Sequence, residues 1–74
     1  MRSITGTLLI AQEERFQLLD RNGVAHQFML HHRSAVEPDQ LPPLLHRQVR
    51  VSYRPADPPH VIGHAAVSVD LLED

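Results

Sequence analysis

The tetrapeptide Asp20-Arg21-Asn22-Gly23 separates two runs, residues 15–19 and 24–31, in which apolar and polar residues alternate. Asn-Gly between alternating segments is the strongest short-range hairpin signal a sequence can carry, because both residues tolerate the backbone of a tight reversal. Two registers are open. A two-residue turn on Asn22-Gly23 sets Phe16 opposite Met29 and Leu18 opposite Gln27, and turns Phe28 to the other face. A three-residue loop over 21–23, with Gly23 left-handed, sets Phe16 opposite Phe28 and Leu18 opposite His26. Only the second gathers Phe16, Leu18, Val24, Phe28 and Leu30 on one face, and a slip of one residue would reverse every side chain. It is therefore the predicted register. Its outer face carries Arg15, Gln17, Leu19, Ala25, Gln27, Met29 and His31, and His26 points inward, either as a neutral core histidine with one hydrogen-bond partner or near the open end of the barrel.

The remaining segments follow the same period of two. Over 4–11, Ile4, Gly6, Leu8 and Ile10 share a face, and Gly6 marks a bulge or a sharp bend. From 34 to 46 the alternation stops. Pro38, Pro42 and Pro43 exclude a long helix but permit a short helical turn from Pro42 or Pro43, with Leu41, Leu44 and Leu45 spaced to cap one end of a barrel. Over 48–53, Val49, Val51 and Tyr53 face inward while Arg50 and Ser52 face out. In the last segment, 61–71, Val61, Ala65, Val67, Val69 and Leu71 share the inner face, leaving Ala66 and Ser68 outside.

The order β-β-β-α-β-β, with Gly6, the 20–23 hairpin, the 41–45 cap and Val49-Arg50-Val51-Ser52-Tyr53, resembles an OB-fold, a small five-stranded barrel with its helix between the third and fourth strands. The chain is also similar to small bacterial β-barrel proteins of unknown function. An all-β class is expected, as one domain over 1–74, with an SH3-like barrel as the alternative topology.

At 74 residues only about 60% of the unfolded surface is buried on folding, so the core must be efficient. The lack of cysteine removes disulfides and thiolate metal sites and fits a reducing compartment. The apolar run 8–11 is too short for a signal-peptide core or a membrane span, so a cytoplasmic protein away from membranes is expected. All basic residues are arginine, and nine carboxylates against seven of them leave a net charge of −2, which gives no general attraction for a phosphate backbone. Six histidines make the charge sensitive to pH near ~6.5.

Three classes of function compete. FMLHH, residues 28–32, ends a strand with ligand-type side chains. On a strand Met29 and His31 share a face, whereas His31 and His32 point in opposite directions, so a copper or zinc site would use Met29 and His31. His60 and His64 are a weaker pair, about 13 Å apart on an extended strand unless Gly63 bends it. The OB resemblance implies single-stranded nucleic-acid binding on strands two and three, for which Arg47, Arg50 and Arg54 supply a basic cluster. Against it, Phe16, Phe28 and Tyr53 are all claimed by the core. Catalysis has no motif: Ser34, Ser52, Asp57 and His60 are not joined by any recognised spacing, and Glu13-Glu14 reads as a solvated turn. The expectation is a non-enzymatic binding or interaction module without a cofactor. Its partner is protein, either a second copy or a larger protein, met through the first and last strands if the barrel leaves their edges open and past the small outer residues Ala66 and Ser68.

Overall fold

Alternation at period two gives each strand one wet and one apolar face, and a chain this short hides the apolar face by curling its sheet onto itself. The computed structural model describes residues 1–54 and 63–72. Strands β1 (Arg2–Gln12), β2 (Arg15–Leu19), β3 (Ala25–Leu30), β4 (Gln48–Arg54) and β5 (His64–Leu71) form a closed barrel in the order β1-β2-β3-β5-β4. Every neighbouring pair is antiparallel except β3 and β5, which run parallel. Two short 3-10 turns, Pro38–Gln40 and Pro42–Leu44, connect β3 to β4. The small five-stranded all-β barrel read from the sequence is the one adopted.

The first hairpin has the predicted register: Phe16 opposes Phe28 and Leu18 opposes His26. Gly23 takes φ +82°, where an L-residue would be strained. Asp20 organises the loop. Its N–H donates to the Val24 carbonyl, and its Oδ1 accepts from the N–H groups of Asn22 and Val24, both at 2.9 Å. Such a side-chain bond two residues on is the usual reason for aspartate at the head of a turn.

The barrel is filled by Leu8, Phe16, Leu18, Phe28, Leu30, Val49, Val51, Ala66 and Val69, and Leu41 from the connection is fully buried with them. Leu44 and Leu45 pack against the same core, as expected of a cap. Gly6 lies beside Thr7, the residue at which β1 passes from its ladder with β4 to its ladder with β2. A Cβ at Gly6 would come within 2.3 Å of the Leu19 carbonyl oxygen, so the position serves close backbone approach. The bulge itself falls one turn of the pleat later.

Several expectations are corrected. The pairing of β1 with β2 skips Leu9, and this extra residue inverts the alternation: Ala11 packs on the core and Ile10 is 50% exposed instead of sharing the face of Leu8. An irregularity at Val67 does the same in β5, where Ala66 is fully buried and Ala65 takes the outer side, whereas Leu71 keeps the inner register opposite Val49 and is 41% exposed because it ends the strand. Val24 is 51% exposed because the hairpin tip extends past its last neighbours, Thr7 on β1 and Phe28's partner on β5. Closure pairs β1 with both β2 and β4, and β5 with both β4 and β3, which removes the open first and last strands as a route to association. Val61, Asp57 and His60 lie outside the described residues.

Candidate functional site

The inversion at Leu9 decides what the outer surface of β1, β2 and β3 carries. Once Ile10 turns outward it heads a cross-strand row with Gln17 and Gln27. The next outer row runs Gln12, Arg15, Met29, Ala65, Arg54 across all five strands. Ala65, kept small, leaves a gap between the long side chains of Arg54 and Met29. Ile10, Gln12, Arg15, Phe16, Gln17 and Gln27 line a shallow hollow of ≈ 180 Å³, and Arg15, Gln27, Phe28 and Met29 line a smaller one of ≈ 70 Å³. Apolar Ile10 and Met29 are thus set among three amides and two guanidinium groups, a mixture that both accepts and donates hydrogen bonds around apolar anchors.

The opposite surface differs. There Ser3, Ser52 and Ser68 form one row and Thr5, Arg50 and Asp70 the next, and the Gln48 amide donates to the Thr7 hydroxyl. Arg50 therefore faces a carboxylate-bearing neighbour on β5 and is separated from Arg54 by three residues of β4. Arg47, at the entrance to β4, holds Leu8 through its carbonyl. The three arginines of the expected basic cluster are spread around β4 and face different neighbours.

At the end of β3 the chain departs from the strand. His31 donates its N–H to the Ala66 carbonyl and accepts the Ser34 N–H on its own, so a turn begins immediately after Leu30. This reversal lays the His32 ring on the His31 ring, centroids 4.2 Å apart and planes 29° apart, in place of the opposed directions an extended strand would impose. The Arg33 N–H donates to His31 Nδ1 at 3.1 Å, which leaves the ring proton on Nε2 in the neutral form. Removal from water, followed by the nearby His32, Arg54 and Arg33, holds the His31 imidazolium below its usual pKa. Met29 stays on β3, while His31 lies one residue past its end. A cation at His31 Nε2 would require the proton to move to Nδ1, break the Arg33 bond, and enter a region already positive. Among the described residues no three histidine, aspartate or glutamate side chains come together as a metal-binding group.

Two features were not anticipated. His26 is half-buried, 30% exposed at its side chain, and its Nε2 lies 2.8 Å from Asp20 Oδ2, so the inward histidine has an acidic partner. That bond is the main reason the Asp20 carboxyl is held below its usual value, with the Val24 and Asn22 N–H groups adding to it and partial burial opposing. The signal was present: an aspartate opening a hairpin loop, six residues before an inward histidine. The second feature is an aromatic chain in which Phe16 stacks on Phe28 at 5.2 Å, Phe28 meets Tyr53 edge-on at 5.3 Å, and Tyr53 lies against His64 at 4.9 Å. The phenylalanines are buried as expected, while Tyr53 and His64 reach the surface.

Ser34 is structural. Its hydroxyl donates to the Val67 carbonyl and accepts the Val36 N–H. No helix among the described residues is long and apolar enough to cross a membrane. Compared with protein-family models, curated proteins and solved structures, the chain matches none.

Proposed function

We propose that this is a non-enzymatic binding module of the OB type, working in the cytoplasm, and that it docks a polypeptide on the outer face of β1, β2 and β3. The observation that carries the reading is the outer pair of rows in which Ile10 and Met29 are surrounded by Gln12, Gln17, Gln27, Arg15 and Arg54. Apolar anchors with a rim of amide and guanidinium groups are the composition of a protein-binding patch, where methionine and arginine are enriched. Covering the exposed half of Ile10 alone would contribute about 1 kcal/mol. The rows themselves carry the guanidinium groups of Arg15 and Arg54 and no carboxylate, although Glu13 and Glu14 stand in the turn beside Arg15, and a partner presenting acidic groups to the rows would complement them. No outward aromatic platform is offered there to stacked bases, and this supports a polypeptide over single-stranded nucleic acid.

The test is site-specific photo-crosslinking in extracts of the source cell, with the probe at position 29 and, separately, at position 68 on the serine-rich face. A discrete product from position 29 that is absent at position 68 and lost with Ile10→Glu supports the reading. Equal products at both positions, or none, overturn it. The competing class, a copper or zinc protein using Met29 and His31, predicts instead a stoichiometric Zn²⁺ or Cu(I) complex lost on changing both residues.

A further inference from the structure

We infer that the stacked His31–His32 pair, with Arg33 and Arg54 beside it, forms a binding site for a doubly charged tetrahedral oxyanion of the phosphate class. The site holds whether or not the neighbouring face docks a polypeptide, because it needs only side chains at the end of β3 and the end of β4.

The argument starts from the backbone. Termination of β3 at Leu30 and the turn closed by the Ser34 N–H bring residues 31–33 to one rim of the barrel. Arg54 stands across β5 from this turn: its ladder neighbour is Ala65, and Ala65 in turn neighbours Met29, two residues before His31. Arg33, His32 and Arg54 are exposed, and among the described residues neither Arg33 nor Arg54 forms an ion pair with a carboxylate.

The chemistry of the donors selects the ligand. The Arg33 N–H occupies His31 Nδ1, so neutral His31 has an N–H donor, and no free lone pair, on its outer nitrogen. Two rings stacked at 4.2 Å keep their in-plane nitrogens in neighbouring planes, which do not converge on one metal ion but can reach two oxygens of one anion. Two permanent guanidinium charges match the two negative charges of a phosphate ester, and guanidinium forks bind such oxygens bidentately. A carboxylate would leave one of these charges uncompensated. The lowered proton affinity of His31 comes first from its partial removal from water, with His32, Arg54 and Arg33 adding to it in that order.

The experiment is an NMR titration of the whole protein with inorganic phosphate at constant ionic strength, reading the imidazole and guanidinium N–H signals, with sodium acetate and sodium chloride as parallel arms. The expected result is saturable shifts at His31, His32, Arg33 and Arg54 with phosphate alone. Arg33→Gln and Arg54→Gln, both on exposed positions, should each weaken binding about tenfold while leaving the methyl signals of Leu41 and Val49 unchanged. Chloride reproducing the phosphate shifts, shifts spread evenly over all six histidines, or binding indifferent to both substitutions would overturn the proposal. Acetate binding as tightly as phosphate would overturn its assignment to the phosphate class.

Discussion

The barrel's two outer surfaces share one inner lining but were built to different ends. Ser3, Ser52, Ser68, Thr5, Arg50 and Asp70 cover the side made by the first half of β1 with β4 and β5, where short hydroxyls and a balanced charge pair leave little for a partner to grip. Ile10, Gln17, Gln27 and the row from Gln12 to Arg54 cover the other side, where the side chains are long, partly apolar and unbalanced in charge. Both surfaces obey the same alternation. The difference therefore teaches that folding constrains only the inner half of each strand, and that a single extra residue, Leu9, moves an isoleucine from the folding half to the other.

The strongest challenge to this division is Gly6→Ala. Gly6 stands where β1 leaves one surface for the other, and its Cβ would meet backbone, not a side chain that could move. A loss of about 3 kcal/mol is expected, seen as a lowered denaturation midpoint with both surfaces disordered together. Retention of one surface's cross-strand NOEs while the other is lost would mean that the halves fold independently. Next in size, Arg15→Glu combined with Ile10→Glu should abolish crosslinking from position 29 while costing less than about 1 kcal/mol of stability, since both side chains lie on the outer rows. A large loss of stability there would show the row to be part of the core.

Acid separates the hairpin from both surfaces. Asp20 is held below its usual pKa chiefly by His26, so its contribution is present above the unfolded value of 3.8 and disappears as the pH falls through the lower folded value. Asp20→Asn should remove that acid-induced destabilisation, and an unchanged acid limb in the variant would break the link. His31 works near neutrality with its own sign. Its lowered pKa means the unfolded chain takes up the proton first, so stability declines as the pH drops below about 6.5 and levels off beneath the folded value. His31→Gln should flatten that limb in thermal melts. The smallest effect belongs to Ser52→Ala, within about 0.5 kcal/mol and without effect on any partner.

The sequence was informative where two independent constraints met. At the first hairpin, Gly23 and the apolar set from Phe16 to Leu30 demand the same loop, and only one register satisfies both. At Leu9 and Val67 there was one constraint only: an inserted apolar residue in an apolar-alternating run reads like any other member of it, so Ile10, Ala65 and Ala66 were placed on the wrong sides. The stack of His31 on His32 was hidden for a related reason. Whether a strand stops at Leu30 or runs on depends on the Ala66 carbonyl, 36 residues later. The row joining Arg15 and Met29 to Arg54 needs the β3–β5 pairing, which leaves no mark on either segment alone. Met29 and His31 were legible as ligand-type residues, but the guanidinium groups that set the sign of their surroundings come from elsewhere in the chain.

Among the described residues the parallel pairing of β3 with β5 spans three residue pairs, Phe28–His64, Met29–Ala65 and Leu30–Ala66, whereas every other ladder has five or six. A ring breaks at its thinnest link. Loss of this seam would turn the barrel into an open four-ladder sheet with most of its hydrogen bonds intact, a sub-global opening cheaper than complete unfolding. The open form would display two fresh strand edges, and edges of that kind recruit other chains. Its population, more than that of the fully unfolded chain, would then govern how long concentrated solutions of the protein stay clear.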